Sequence, residues 1–368
     1  MTMDQRQQHG RMRRRVTACA VGGLLAAASA LAFPLTGFAK TATVRVHDGQ
    51  SIQAAIAAAA PGTTIVVDEG TYAENLVIPK DGITLRGDGD PGDVRLVPPK
   101  TIAPVCGETP TAVIGICVAD LVGFGPNGPV TATVHNVRIS GITIQGFTDS
   151  GILMIDNSGA RVDHVRSLNN GGYGMFALQS TGTRFTHNVA VGNHEAGFYI
   201  GESPKAAAVI ADNNAHGNGF GIFFRDSRGA KIEDNTVNGN CIGILFLNTG
   251  LLPSGDGDAT ADDNSANRNS LACPAGDGPP TSGLGIAVAG GDHITLRDNT
   301  ANGNVASGPT FASGGIVLGP GPGGLTTFIK VVDNDAHKNS TDIAVAVPSP
   351  TNQFDDNECT TSSPAGLC

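Results

Sequence analysis

HNVAVGN (187–193), DNNAHGN (212–218), DNTVNGN (234–240), DNSANRN (263–269), DNTANGN (298–304) and DNDAHKN (333–339) repeat one pattern, with Asn in the second and seventh places. Each is followed, directly or after an insertion, by a glycine and a short apolar run: GFYI from Gly197, GIFF from Gly221, GILF from Gly243, GIAV from Gly285 and GIVL from Gly315. GILM from Gly151 and GMFA from Gly174 open the series, and the glycines at 151, 174, 197, 221 and 243 stand 23, 23, 24 and 22 residues apart. A unit of that length, without helix and with turns rich in Asn and Gly, cannot bury its apolar face alone. Stacked on its neighbours at about 4.8 Å, it pairs strands in parallel along the whole axis and encloses one continuous core.

Asn is the non-glycine residue that best tolerates a left-handed backbone, and its amide can donate to the Asn of one neighbouring coil while accepting from the other. Asn188, Asn213, Asn235, Asn264, Asn299 and Asn334 are expected to form such a ladder, with Asn193, Asn218, Asn240, Asn269, Asn304 and Asn339 marking a second turn. These repeats resemble the right-handed parallel β-helix proteins, the superfamily of pectate lyases, polygalacturonases and the copper-maturation proteins of nitrous oxide reduction. The resemblance implies an all-β, right-handed parallel solenoid, and it covers the repeats and the entrance to them, VRVHDGQSIQAAIAAAAPGTTIVVDEGTYAENLVIPKDGITLRGDG. There Ser51 is placed to N-cap a helix whose apolar side is Ile52, Ala55, Ile56 and Ala59, ended by Pro61-Gly62 and plugging the open end of the solenoid. Strands are expected from Ile65, Leu76 and Ile83.

Outward from this core, the first 39 residues read as an export signal: Arg11, Arg13, Arg14 and Arg15, an apolar stretch from Val16 to Phe33, then Gly37-Phe38-Ala39 at the cleavage positions. Arg13-Arg14-Arg15-Val16 also fits a partial twin-arginine pattern. The expected organisation is a leader at 1–39 and a single solenoid domain at 40–368, comprising an entrance and cap (44–97), a long loop (98–129), regular coils (130–357) and a tail (358–368). Six Cys follow the leader, an even number that in an exported chain reads as disulfides. Of fifteen pairings, the one local in sequence joins Cys106 to Cys117, Cys241 to Cys273 and Cys359 to Cys368, the last closing the C-terminal end. Zinc has no support in Cys/His spacing.

Composition agrees with this architecture and limits function. Gly (51) and Pro (21) are abundant in 368 residues and Trp is absent, which excludes a helical bundle, while 40% apolar residues exclude a disordered chain. Removing the leader's five Arg and one Asp takes the net charge from −10 to −14. Such a surface repels nucleic acid and anionic lipid. No apolar run after the leader is long enough to span a membrane.

Chemistry must come from outward columns. Counting from each anchoring glycine, positions +1 and +3 are expected inward and +2 and +4 outward. The +2 column is unexpectedly apolar and includes Phe176, Tyr199 and Phe223, either covered by a loop or partner or open as an aromatic platform for sugar rings. At +5 the column turns polar. Glu202 and Asp226 fall on successive coils, so their carboxylates are expected about 5 Å apart, compatible with a glycosidase pair. Arg225 stands beside them to stabilise developing charge, with Tyr199 or His194 as a base for a lyase or epimerase. Tyr199, Glu202, Arg225 and Asp226 are therefore the candidate catalytic residues, and Phe176 and Phe223 the candidate substrate contacts. The Asn-Thr-Asp, Gly-His-Gly and Arg-Ile-Lys motifs of polygalacturonases, the Arg-x-Pro-x-x-Arg of pectate lyases and the Asp-Pro-His-Glu of mannuronan epimerases are absent, so no catalytic role carries over from the resemblance.

The aspartates preceding the ladder (Asp212, Asp234, Asp263, Asp298, Asp333 and Asp356) stack like charges that calcium could relieve. The histidines read as dispersed, and no metal site is assigned. The resulting expectation is a secreted β-helix that engages extracellular or cell-wall polysaccharide, with lyase, hydrolase and epimerase activity open. The alternatives are a non-catalytic structural or adhesive surface protein and a periplasmic maturation factor. Oligomeric state is left open.

Overall fold

The computed structural model describes residues 42–101, 106, 112–121, 130–276 and 278–368. The leader at 1–39 lies outside the described residues. From Thr43 onward the chain winds through three long sheets of twelve, eleven and seven strands among the described residues, and every neighbouring pair in them is parallel. One coil consists of Arg161–Asp163 in the twelve-stranded sheet, Arg166–Leu168 in the seven-stranded sheet and Met175–Leu178 in the eleven-stranded sheet. Its register partners are Arg184–Thr186, Val189–Val191 and Phe198–Gly201. The stretch 98–129 is more than a loop, because Ile116–Val118 pairs with Leu76–Val77 and with Ile152–Met154 as part of the eleven-stranded sheet. Gly70–Ala73, between the strands expected from Ile65 and Leu76, is itself a strand of the seven-stranded sheet.

The corners explain the sequence pattern. From Arg184–Thr186 onward, each strand of the twelve-stranded sheet ends in a two-residue corner. The first is left-handed: Asp212, Asp234, Asp263, Asp298, Asp333 and Asp356 have φ between 51° and 56°. The second is the ladder Asn, whose Nδ2 donates to the Oδ1 of the Asn one coil on: Asn188 to Asn213 at 3.1 Å, Asn213 to Asn235 at 3.0 Å, Asn235 to Asn264 at 2.9 Å, and so on to Asn357. Each backbone N–H donates to the same oxygen, as Asn213 does to Asn235 at 3.0 Å. The second ladder begins one coil earlier than expected, at Asn170, and its last amide, that of Asn339, donates to the carboxylate of Asp342 at 3.0 Å. Burial favours a neutral Asp342, but bonds from Asn339, Thr360 and Thr361 hold its carboxyl below the usual range. A third, shorter ladder was not anticipated: the backbone N–H groups of Asn157, Ser180, Ser203 and Ser227 donate in turn to Ser180, Ser203, Ser227 and Asp256.

Simple alternation fails at the anchoring glycines. Positions +1 and +3 are inward as expected, with Phe198, Ile200, Ile222 and Phe224 in the main core, but the glycine faces inward too. A Cβ on Gly243 would lie 2.7 Å from Asn269 Nδ2 and 2.5 Å from the Gly285 carbonyl. Only glycine fits beneath the ladder, and this local bend turns position −1 outward alongside +2. Tyr173, Phe220, Ile242 and Leu284 consequently join Tyr199, Phe223, Leu245 and Ala287 in a second apolar cluster outside the solenoid.

The entrance helix spans Ile52–Ala58, with Ser51 as N-cap and Ile52 and Ile56 buried in the core. Seven residues are too few for a helix to persist unaided. The first coil saturates both of its ends: Glu74 accepts from the N–H groups of Ile52 at 2.9 Å and Gln53 at 3.0 Å, and Lys80 Nζ donates to the carbonyls of Ala57 at 2.7 Å and Ala59 at 2.8 Å. The three disulfides join Cys106–Cys117, Cys241–Cys273 and Cys359–Cys368. Bonds of this kind belong to an oxidising, extracytoplasmic compartment.

Asn235→Ala removes an amide that bonds Asn213, Asn264 and the carbonyl of Ile210. Each buried partner left unpaired costs about 1–3 kcal/mol, so the urea midpoint is expected to fall well below that of the parent. An unchanged midpoint would show that the amide ladder does not support the coils.

Candidate functional site

The residues singled out on the outer face of the eleven-stranded sheet do come together, but as a packed patch. Tyr199 and Phe223 are register partners on adjacent strands, and Phe176 precedes Tyr199 in the same row. Their rings meet edge to face, Phe176 to Tyr199 at 4.7 Å and Tyr199 to Phe223 at 5.1 Å between centroids. Tyr173 and Phe220, brought outward by the glycine bend, close the row at 4.9 Å from Tyr199 and 4.8 Å from Phe223. Tyr199 is only 2% exposed. Burial pushes its phenol up to about 12, against the pull of the Arg225 guanidinium, which hydrogen-bonds it. At neutral pH Tyr199 is therefore a protonated phenol, suited to donating a proton and not to abstracting one.

Partial burial disfavours the Arg225 charge, yet Tyr199, Asp226 and Glu202 outweigh that effect and hold it firmly protonated. Asp226 is fully buried, and its oxygens accept from Arg225 Nε at 3.2 Å, the Thr249 N–H at 2.8 Å and the Thr249 hydroxyl at 2.6 Å. Glu202 and Asp226 both have left-handed φ, 50° and 46°, and occupy equivalent corners of successive coils. Glu202 alone of the two carboxylates reaches solvent, accepting from Gln179 Nε2 at 3.3 Å. Shallow hollows lie elsewhere, one beside Asp262 and Arg297, another beside Arg45 and Asp88.

Beneath Asp226 the serine ladder ends on Asp256. Its Oδ1 accepts from the Ser227 N–H at 3.3 Å, while Oδ2 has no partner. Burial, with the nearby charge of Asp226 adding to it, raises the Asp256 carboxyl well above the usual range.

Two further features come from the stacking and were not found from sequence. The first is on the outward face of the twelve-stranded sheet. Arg138, Arg161 and Arg184 are register partners on three successive strands, and all are exposed. Among the described residues none of them makes an ion pair or side-chain hydrogen bond. Their row runs from Thr43 to Gln353 and also carries Lys231 and Lys330, but no acid. The second is a pair of histidines. His164 and His187 are not dispersed: they occupy the left-handed corner of successive coils and stack at 4.9 Å between ring centroids. Both features were legible as a separation of 23 residues, one coil, a spacing that helix and hairpin templates overlook.

The family described as the right handed beta helix region matches residues 123–206 and 150–320, more than half of the chain. The chain belongs to that family. No curated protein matches the sequence. Among solved structures, this right-handed β-helix protein is similar to the A-module of the Azotobacter vinelandii mannuronan C-5 epimerase AlgE4, with a TM-score of 0.57, 19% identity and coverage of 85% of this chain and 91% of that one. It is also similar to the Dettilon tailspike protein, with a TM-score of 0.56, 16% identity and coverage of 88% and 60%. An alginate lyase from Paenibacillus sp. str. FPU-7 follows, with a TM-score of 0.51, 13% identity and coverage of 87% and 96%. At these identities the likeness is one of fold.

The state of Asp256 predicts a pH dependence. A carboxyl raised on folding contributes stability that is complete below its unfolded pKa and is lost as pH rises towards its folded pKa. Asp256→Asn keeps an acceptor for Ser227 and cannot ionise. Thermal melts are expected to match the parent near pH 4 and to favour the variant increasingly towards pH 7. A variant less stable than the parent by the same amount at both values would contradict a raised Asp256 carboxyl.

Proposed function

We propose that this β-helix is an exported protein that binds an acidic polysaccharide along the arginine row of its twelve-stranded sheet, and holds the polymer without cutting it. The observation that carries this reading is the alignment of Arg138, Arg161 and Arg184 at coil spacing with no carboxylate partner among the described residues. Three guanidiniums about 4.8 Å apart repel one another. The chain has acids enough to pair them, yet the row contains none. A guanidinium fork takes a carboxylate bidentately, and an extended chain of uronate rings offers one carboxylate per sugar at a step close to that of the coils. The overall negative charge opposes this only weakly, since at physiological salt it is screened beyond about 8 Å. Two of the structures alike in fold are named as a mannuronan epimerase and an alginate lyase, which supports the same polymer class. The disulfides and the basic, apolar leader support an extracytoplasmic setting.

The packed rings of Phe176, Tyr199 and Phe223 and the enclosure of Asp226 favour binding over turnover. In a titration of polygalacturonate or alginate, Arg138→Gln/Arg161→Gln/Arg184→Gln is expected to weaken binding at least about tenfold, since a charge-assisted bond contributes about 1.5–3 kcal/mol. Equal binding by the triple variant, or equal binding of a neutral glucan by the parent, would remove the proposal.

A second reading rests on the Tyr199–Arg225 pair with Glu202 open beside it, an acid and a cation on one face as a lyase, hydrolase or epimerase needs. In it Tyr199 donates a proton, Arg225 stabilises developing charge, Glu202 and Asp226 serve as acid and base, and Phe176 and Phe223 line the sugar. If unsaturated products or new reducing ends form, Glu202→Gln is expected to abolish them while leaving the melting temperature within about two degrees. Activity that survives both Glu202→Gln and Asp226→Asn would locate the chemistry elsewhere.

A further inference from the structure

We infer that Asp163, His164 and His187 form a binding site for a borderline divalent transition-metal ion, with zinc as its simplest occupant. The site is made by two adjacent coils. His164 and His187 hold the same left-handed corner, with φ of 51° and 55°, which aims both imidazoles off the same edge of the sheet. Asp163 ends the strand just before His164, and its carboxylate lies between the two rings: Oδ2 is 2.7 Å from His164 Nδ1 and Oδ1 is 2.9 Å from His187 Nδ1. One ligand atom from each residue lies within 4.8 Å of the other two. Adjacent ligands around a tetrahedral zinc are about 3 Å apart, so the ion needs small ring rotations and no backbone movement.

The surroundings fit a cation. The hydroxyl of Thr186 donates to Asp163 Oδ1 at 2.8 Å, and Asp212, one coil on, stands 3.7 Å from His187 Nε2. With Nδ1 on the metal, Nε2–H faces that carboxylate, the outer partner that fixes tautomer and ring orientation in metal sites. All three residues are roughly half exposed, so the site is open to solvent. Among the described residues no Lys or Arg forms an ion pair with Asp163. The contrast with a second trio is instructive. Asp258, Asp292 and His293 are grouped just as closely, but Arg228 donates to Asp258 at 2.8 Å and to Asp292 at 2.6 Å, so the cation position there is filled by the protein itself. Two imidazoles and one carboxylate select zinc or its neighbours over calcium and magnesium, which take oxygen ligands.

Equilibrium dialysis of the untagged mature protein against micromolar Zn²⁺, with metal content read by mass spectrometry, tests the inference. One zinc per chain is expected, with at least a tenfold loss of affinity in His164→Gln and in His187→Gln, no change in His293→Gln, and no displacement by excess Ca²⁺ or Mg²⁺. The substituted rings are exposed, so the metal-free variants should melt with the parent. In the unaltered protein, the ring resonances of His164 and His187 should shift together on zinc titration, a readout that does not depend on the variants folding. Zinc uptake below a tenth of an equivalent, uptake unchanged in His164→Gln/His187→Gln, or shifts confined to other histidines would each overturn the assignment.

Discussion

The structure depends on a two-residue corner: one residue in left-handed backbone followed by an Asn whose amide bonds the same Asn in the next coil. A left-handed conformation is costly for most side chains, and a buried amide is costly unless it is fully bonded. Repeating both in register makes each coil's corner the partner of the next. Six such bonds run unbroken from Asn188 to Asn357. Strand pairing alone tolerates slippage, whereas a chain of buried amides does not, so the ladder fixes which residues become neighbours. The second ladder, from Asn170 to Asn339, leaves room only for glycine at Gly151, Gly174, Gly221, Gly243, Gly285 and Gly315 on the eleven-stranded sheet, and the bend there turns the second apolar cluster outward.

Fixed register turns sequence periodicity into charge columns, and the protein deals with nearly all of them. Asp226 is bound by Arg225 and Thr249, Asp258 and Asp292 share Arg228, and Asp262 pairs with Arg297. Among the stacked aspartates, partial desolvation, followed by repulsion from Asp262, Asp298 and Asp234, raises the Asp263 carboxyl. The arginine row is the exception. Its charges are of one sign, exposed and, among the described residues, unpaired, and they sit on a chain whose overall charge is opposite. A row left uncompensated by its own protein is available to something outside it.

The sequence disclosed the solenoid because the Asn repeats mark a buried amide position and the anchoring glycines a place without room for a Cβ, requirements that few residues meet. It also disclosed Ser51 as a helix cap and the local disulfide pairing, features set by neighbours in sequence. The inward-facing glycine was not legible, since period-two alternation takes no account of a ladder amide pressing on the strand from inside. Nor was the burial of Tyr199, which depends on that bend and on Tyr173 and Phe220 being turned outward by it. The pairings of Arg138, Arg161 and Arg184 and of His164 with His187 were present as intervals of 23 residues, but their meaning required the coil to be counted as a unit of contact and not only of repetition.

The proposed ligand lies on the twelve-stranded sheet and not on the Tyr199 patch, and the arginine side chains themselves report on that choice. Their Nε–Hε resonances can be followed while a short oligouronate is added. Coincident shifts of Arg138, Arg161 and Arg184, with Arg225, Arg228 and Arg297 unmoved, are the predicted result. Movement of Arg225 with the row unperturbed would contradict it.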